Sequence, residues 1–145
     1  MPGRDGQRGR VYAWEDRVVA PRDRSRIGFA AAPGLVAAIW AELGLRFPPA
    51  VAPMPPRATT RLADASRLVI RLPPSTPSWC ILHEMAHALS TTQDDVSDGH
   101  GAVFMGLYVQ LLVRYLRLDE AWLLYSLAAA GIVVDRAARP VFVDA

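Results

Sequence analysis

Residues 77–104 read PSWCILHEMAHALSTTQDDVSDGHGAVF and contain all three histidines of the 145-residue chain. Two of these histidines, His83 and His87, belong to an H-E-x-x-H arrangement. On a helix, side chains four residues apart lie on one face about 5–6 Å apart, so two imidazoles can converge on one ion. Imidazole nitrogens bind zinc at about 2.0–2.1 Å, and a catalytic zinc site needs three protein ligands and a water. The stretch therefore predicts a helix that presents two metal ligands.

The same stretch carries the signals of a helix that begins near residue 77. Thr76 is a residue type that caps helices, and Pro77 suits a first helical position. The apolar residues that follow recur at helical spacing: Trp79, Leu82, Met85, Ala86 and Leu89. A buried amphipathic helix with two structural histidines is the alternative to a metal site.

Two further residues would complete a metal-hydrolase set. Glu84 follows the first histidine and projects beside the metal face, where a carboxylate can accept a proton from an activated water. We therefore predict Glu84 as the general base. His100 is the remaining imidazole of the chain and lies in a turn between two glycines. We expect the short loop after His87 to fold back over the first helix and bring His100 to the same ion.

The loop 91–99 contains three carboxylates: Asp94, Asp95 and Asp98. These carboxylates could orient the histidine ligands as hydrogen-bond acceptors, and one of them could replace His100 as the third ligand. Solvation on an exposed loop is the alternative. In the helix expected after the loop, Tyr108 and Tyr115 are candidates to stabilise an oxyanion, with core packing as the alternative for each.

HEMAHAL followed by DGHGAVF resembles the SprT-like and related small zincin-like metallohydrolases. Their pattern is an H-E-x-x-H helix, a short loop and an H-G-x-x-F segment that supplies the third histidine. The sequence is still more similar to a group of small metallohydrolases of actinobacteria and their phages. The matching motifs cover residues 77–104. The resemblance implies that His83, His87 and His100 bind Zn²⁺ and that Glu84 is the catalytic acid/base.

By the same resemblance, the chain is a zinc-dependent hydrolase, a metallopeptidase that cleaves a peptide or protein substrate. SprT-like proteins often carry a cysteine zinc ribbon or another nucleic-acid module after the protease core. This sequence shows none, so DNA-linked substrates are not implied. The alternative function is a zinc-binding regulatory or interaction module without independent catalysis, although a purely structural zinc would have no use for Glu84. A protease that associates with nucleic acid is a third and weaker alternative.

Length and composition predict one cytoplasmic domain. The chain is 52% hydrophobic, which is ample for a core, and its net charge of +2 does not indicate a nucleic-acid-binding protein. The first 26 residues contain seven arginines and four acidic residues. We interpret this segment as an exposed basic arm, with a weak site for an anionic partner as the alternative. The chain has a single cysteine, Cys80, which is consistent with a reducing compartment. We expect Cys80 to be buried as a small apolar residue. There is no signal-peptide pattern and no apolar run of about 18 residues, so we expect no membrane partner.

The patterning predicts an α+β fold. We expect a small zincin-like domain with a short antiparallel sheet, an active-site helix and two to three further helices. Residues 1–28 are assigned to an arginine-rich arm, and residues 29–145 are assigned to the metallohydrolase domain. Within the arm, residues 11–20 fit either a first strand or a helix. The further predicted helices are 33–45, 101–117 and 119–130. The predicted strands are 57–62 and 67–72 around a turn, with candidate edge strands at 132–134 and 141–143.

Two connecting segments complete the prediction. Residues 47–56 contain five prolines and are expected to be a stiff connector. In zincin-like peptidases a strand lies along the cleft and pairs with an extended substrate, and residues 67–72 stand where such a strand would be. An ordinary sheet strand without a substrate role is the alternative for 67–72.

Overall fold

Five α-helices and two small sheets make up residues 5–55 and 63–142, the part of the chain that this computed structural model describes. The helices are α1 Arg8–Trp14, α2 Ala32–Glu42, α3 Ser78–Leu89, α4 Ala102–Leu116 and α5 Glu120–Ala129. The strands are β1 Arg26–Gly28, β2 Ala50–Pro53, β3 Asp64–Ala65, β4 Val69–Leu72 and β5 Ser75–Pro77. The predicted α+β class is confirmed.

Helix α3 lies at the centre of the core and packs along α4. Its buried apolar side chains are Cys80, Ile81, Leu82, Met85, Ala86, Ala88 and Leu89. Each large side chain among them contributes about 1.5–3 kcal/mol by leaving water. The expectation that Cys80 is a buried residue of this helix is confirmed. The apolar face of α3 therefore fixes which way its polar residues can point.

The start of α3 differs from the prediction. The helix begins at Ser78, and Thr76 lies in β5 with its side chain buried rather than at the cap. The first-turn backbone donors are satisfied from a distant segment instead. The Trp79 N–H donates to Asp23 Oδ2 at 2.9 Å, and the Ser78 N–H donates to the Ser25 carbonyl oxygen at 3.1 Å. A helix start needs such acceptors, and here tertiary contacts supply them.

The other predicted helices are confirmed with small shifts at their ends. The segment 33–45 corresponds to α2, which stops before Gly44, a residue with a φ of 77° that glycine adopts without strain. The segments 101–117 and 119–130 correspond to α4 and α5. Asp119 caps α5, because its Oδ2 accepts the Trp122 N–H at 2.8 Å. Apolar periodicity was a sufficient guide for these three elements.

The sheets depart from the antiparallel prediction. The larger sheet has the order β2-β4-β3, in which β2 runs parallel to β4 and β3 runs antiparallel to it. Strands β1 and β5 form a separate antiparallel pair. Strand β2 lies inside the proline-rich segment that we expected to be a connector. It is an edge strand, where prolines are tolerated because one side of the backbone needs no ladder partner.

The predicted hairpin is shifted along the chain. Strand β3 occupies part of the predicted turn, and the turn falls before β4, where Ser66 Oγ accepts the backbone N–H groups of Leu68 and Val69 at 3.3 and 3.2 Å. Ile70 and Leu72 are buried, whereas Leu68 is exposed because it belongs to this turn. The predicted strand 57–62 lies outside the described residues.

The N-terminal segment is helical, so the strand alternative for 11–20 is wrong. Helix α1 continues as a π-helical stretch, Glu15–Val19, and a 3-10 turn, Ala20–Arg22. Its buried residues recur at helical spacing: Val11, Trp14, Glu15, Val18 and Val19. The assignment of residues 1–28 to a separate arm stays a prediction.

The C-terminal tail crosses α4 without forming a strand over its described residues, 130–142, so the predicted edge strands there are wrong. Its backbone bonds go to helix ends instead. The Asp135 N–H donates to the Ala102 carbonyl at 2.9 Å, and the Val141 N–H to the Leu89 carbonyl at 3.1 Å. Gly106 permits this crossing, because a Cβ there would overlap the Asp135 carbonyl oxygen. Among the described residues, no helix has the length and apolar character needed to cross a membrane.

Candidate metal centre

Three histidine nitrogens converge on one point. His83 and His87 project from α3, and His100 lies in the turn before α4. The Nε2 atoms of His83 and His87 are 3.2 Å apart, those of His87 and His100 are 3.2 Å apart, and those of His100 and His83 are 3.3 Å apart. Tetrahedral coordination with nitrogen ligands at 2.0–2.1 Å would separate the nitrogens by about 3.3–3.4 Å. The triangle therefore has the size that one metal ion requires.

The structure thus brings together the three predicted histidines, and they could hold a metal ion. His83 and His100 are buried and His87 is half-buried. Phe104, the aromatic residue of the H-G-x-x-F segment, lies against all three imidazoles with ring centroids 5.0, 4.4 and 5.0 Å away. Its ring limits the rotation of the ligands, because aromatic packing at this distance leaves little free space.

Two carboxylates orient the imidazoles from behind. Glu15 Oε2 lies 2.5 Å from Nδ1 of His83, and Asp5 Oδ2 lies 2.5 Å from Nδ1 of His100. Asp5 Oδ1 also accepts the backbone N–H of His100 at 3.0 Å. A carboxylate that accepts the Nδ1 proton leaves Nε2 with its lone pair free for an ion. These pairs therefore select the tautomer that a metal ligand needs.

Burial favours the neutral form of His83. Burial of the imidazole, together with the charge of His100, lowers the pKa of His83 to about 3, while Asp5 acts in the opposite direction. A neutral imidazole is the metal-binding form. Little competition from protons is thus expected at this ligand near neutral pH.

Glu15 is the most unusual carboxyl group of the site. It is 2% exposed, and its Oε2 accepts the Tyr108 hydroxyl at 2.7 Å. Burial raises the pKa of Glu15 to about 8. The hydrogen bond from Tyr108 and the charge of His100 both lower this pKa, but the effect of burial is larger. An opposite charge nearby favours the carboxylate, so a cation on the three imidazoles would lower this pKa. Metal binding is therefore expected to release a proton from Glu15.

The loop acids do not orient the ligands. Asp98 serves the start of α4, where its Oδ2 accepts the Val103 N–H at 2.8 Å. Within the described part of the chain, neither Asp94 nor Asp95 hydrogen-bonds to a histidine, although Asp95 lines the cleft beside them. The prediction that this loop supplies the acceptors is wrong, because Asp5 and Glu15 of the N-terminal segment supply them.

One of these two carboxylates left a signal in the sequence. Glu15 stands among Val11, Trp14, Val18 and Val19, which form the apolar face of a helix. A carboxylate on such a face is either paired or part of a site, because an unpaired buried charge is costly. Asp5 left no comparable signal.

The ligands line one wall of a cleft of about 200 Å³. Glu84, 5% exposed, lines this cleft beside the histidines, where the sequence predicted it. Tyr12 covers the ligands from α1, with its ring centroid 6.0 Å from that of His83 and 5.1 Å from that of His100. The Arg8 guanidinium lies 5.6 Å above the Tyr12 ring and also faces the cleft. Both side chains are hydrogen-bond donors close to the metal position.

The two tyrosines that we considered as oxyanion donors, with core packing as the alternative, lie elsewhere. Tyr108 is fully buried and donates to Glu15, and Tyr115 donates to Glu42 Oε1 at 2.7 Å. Neither residue lines the cleft. The prediction of an oxyanion role for either residue is therefore wrong, and the core alternative holds for Tyr108.

The strand beside the cleft is not the predicted one. Strand β4 pairs with β2 on one side and β3 on the other, so it has no edge to offer a substrate. Residues 63–65, which include β3 at the sheet edge, line the cleft. The substrate-pairing role predicted for 67–72 is thus wrong, and the ordinary strand alternative holds.

Comparisons with protein-family models, with curated proteins and with solved structures give no match to this chain. The resemblance to zincin-like metallohydrolases therefore rests on the motifs at residues 77–104 and on the chemistry of the site. The zincin-like fold stays a prediction.

Proposed function

We propose that the protein is a zinc-dependent hydrolase of zincin-like fold, a metallopeptidase that cleaves peptide bonds. The observation that carries this proposal is the triangle of Nε2 atoms with a glutamate beside it in an open cleft. Three imidazoles leave one position of a tetrahedral ion for water, as in catalytic zinc sites, whereas structural sites are closed by a fourth protein ligand. Nitrogen ligands also suit other transition metals, and zinc is the choice that agrees with tetrahedral spacing.

A bound zinc ion would supply Lewis acidity, lowering the pKa of a coordinated water to about 7 and polarising the substrate carbonyl. Glu84 then acts as the general base: it accepts a proton from the attacking water and passes it to the leaving amine nitrogen. Tyr12 and Arg8 line the cleft, and they are our candidates to donate hydrogen bonds to the carbonyl oxygen as negative charge develops there. Asp5 and Glu15 hold the tautomers of His100 and His83.

An extended peptide or protein is the proposed substrate. Among the described residues β3 is an edge strand, its residues line the cleft, and a peptide could add to that edge through main-chain hydrogen bonds. Asp64 of β3 is paired with Arg71 of β4, which limits its charge toward the cleft. The peptide substrate and the cytoplasmic location stay predictions.

The alternative, a zinc-binding regulatory module without catalysis, uses the same three ligands. It gives no role to Glu84, which lines the cleft beside the ligands. A nucleic-acid partner has little support, since the arginines of the N-terminal helix are exposed but only Arg8 lines the cleft.

The Glu84→Gln variant tests the proposal. Glutamine keeps the shape of the side chain but cannot accept the proton, so we expect normal zinc content and a fall of about 10²–10⁴-fold in the cleavage of quenched fluorescent peptides. Glu120→Gln, at the exposed start of α5, is the matched control and should cleave normally. Full activity in Glu84→Gln would exclude Glu84 as the base.

A further inference from the structure

A second cavity, of about 420 Å³, lies between the ends of α2 and α3, the outer turns of α4 and the tail 136–140. It shares no lining residue with the metal cleft. Its volume falls within the range of small-molecule sites, about 300–1,000 Å³. The cavity is therefore a separate candidate site.

The floor of the cavity is apolar. It is formed by Leu43, Leu89, Leu107, Leu111, Ala138 and Pro140. Leu89, Leu107, Leu111 and Ala138 are buried. Two hydrogen bonds hold the tail segment that contains Ala138 and Pro140: the Val141 N–H donates to the Leu89 carbonyl, and the Gln110 side chain donates to the Ala138 carbonyl at 2.9 Å. The floor is thus a built surface that an apolar chain could cover, and burial of its apolar area would favour binding.

The rim of the cavity is cationic. Three exposed arginines line it, Arg114, Arg136 and Arg139, and none of the described residues that line it is acidic. Arg136 is paired with Glu120 at 3.3 Å, and Arg114 lies 5.5 Å over the Tyr115 ring. Arg139 makes no ion pair with another described residue. Over the described part of the chain, the positive charge of the rim is therefore only partly balanced.

We propose that this cavity binds a small amphipathic anion, an acyl chain that carries a carboxylate. The chain would lie on the leucine floor, and the carboxylate would accept hydrogen bonds from Arg114 and Arg139, whose planar guanidinium groups suit carboxylate oxygens. A protein partner fits less well, because a stable interface buries about 800 Å² on each side, whereas this hollow has the volume of a small-molecule site. The site stands whether or not the metal centre is catalytic.

Titration calorimetry with sodium decanoate tests the proposal on the full chain. We expect saturable binding of one decanoate per chain. Decyltrimethylammonium has the same chain with the opposite charge, and acetate has the carboxylate without the chain, so neither should bind measurably. Equal binding of decyltrimethylammonium, or no binding of decanoate, would overturn the proposal.

Three variants locate the site. Arg139→Ala and Arg114→Ala should each weaken decanoate binding about tenfold, because each removes a charge-assisted hydrogen bond. Ala137→Phe, at an exposed lining position, should block binding by filling the cavity without disturbing the core. Arg24→Ala, exposed and outside the cavity, is the matched control and should bind normally. Binding that Arg139→Ala and Ala137→Phe both leave unchanged would show that decanoate binds elsewhere and would overturn the proposal.

Discussion

Two single residues connect the N-terminal segment to the predicted metal ligands. Glu15 and His83 are 68 residues apart in sequence, and Asp5 and His100 are 95 apart, yet each pair is in direct contact. Groups of this kind orient ligands without touching the ion, and losing one costs about 10–100-fold in metal affinity or activity. The metal centre therefore depends on residues that no local motif includes.

The Glu15→Gln variant tests that dependence. The amide keeps the size of the side chain but removes the negative charge that attracts the Nδ1 proton of His83, so zinc affinity should fall about 10–100-fold. Competition with a fluorescent zinc chelator measures the change. Asp16→Asn, at the exposed neighbouring position, is the control and should keep the affinity of the unmodified protein. An unchanged affinity in Glu15→Gln would remove Glu15 from the site.

At this scale the sequence was informative where the chemistry is local. The spacing of His83 and His87 follows from one helical turn, and His100 was the remaining imidazole, so all three could be predicted. The sequence did not predict that Glu15 and Asp5 contact the ligands, because contacts between residues so far apart in sequence depend on tertiary packing. The loop acids nearer in sequence were candidates for this role, but they are exposed, which agrees with the alternative of solvation.

Among the elements, helices with a clear apolar period were predictable, whereas of the strands only β4 lies where a strand was predicted, within 67–72. Helices α2, α4 and α5 each bury a face that repeats every three to four residues. Strand β2 contains a proline, which argued for a connector, and its parallel pairing with β4 has no local signal in the sequence. The segment 11–20 was ambiguous because its valines favour strands, although the spacing of its apolar residues fits a helix.

The crossing of the tail over α4 leads to a prediction for Gly106. Gly106→Ala should destabilise the protein by about 1–3 kcal/mol, because the new methyl group would overlap the Asp135 carbonyl and displace the tail. Gly34, inside α2, has no atom near the position of a Cβ and is the matched control. Gly34→Ala should stabilise by about 0.5–1 kcal/mol, because alanine favours helices. Urea unfolding measures both, and a stabilised Gly106→Ala variant would contradict the packing described.

For the whole molecule, the raised pKa of Glu15 predicts a pH dependence of stability in the metal-free protein. The folded-state pKa is about 8 and the ordinary value is 4.5. Between pH 6.5 and 8 the folded protein thus keeps a proton that the unfolded chain has lost, so stability should fall as the pH rises. His83 acts in the opposite direction, because with a folded-state pKa of about 3 and an ordinary value of 6.5 it is neutral in the folded protein but about half protonated in the unfolded chain at pH 6.5. This effect is smaller than that of Glu15, so stability should still fall from pH 6.5 to 8.

Urea midpoints of the metal-free protein at pH 6.5 and pH 8 measure this effect. The midpoint should be lower at pH 8 in the unmodified protein, and the difference should shrink in Glu15→Gln, which does not titrate. Saturating zinc should remove much of the difference, because the ion favours the carboxylate form. Equal pH dependence in the two metal-free proteins would contradict the assignment of the proton to Glu15.

The most direct test of the central claim is X-ray absorption at the zinc edge on protein loaded with zinc, combined with metal analysis. We predict one zinc per chain, bound by three imidazole nitrogens and one oxygen at about 2.0–2.1 Å. In His100→Ala the number of imidazole ligands should fall to two. Zinc bound in less than stoichiometric amount, or an imidazole count that His100→Ala leaves unchanged, would contradict the metal centre proposed for His83, His87 and His100.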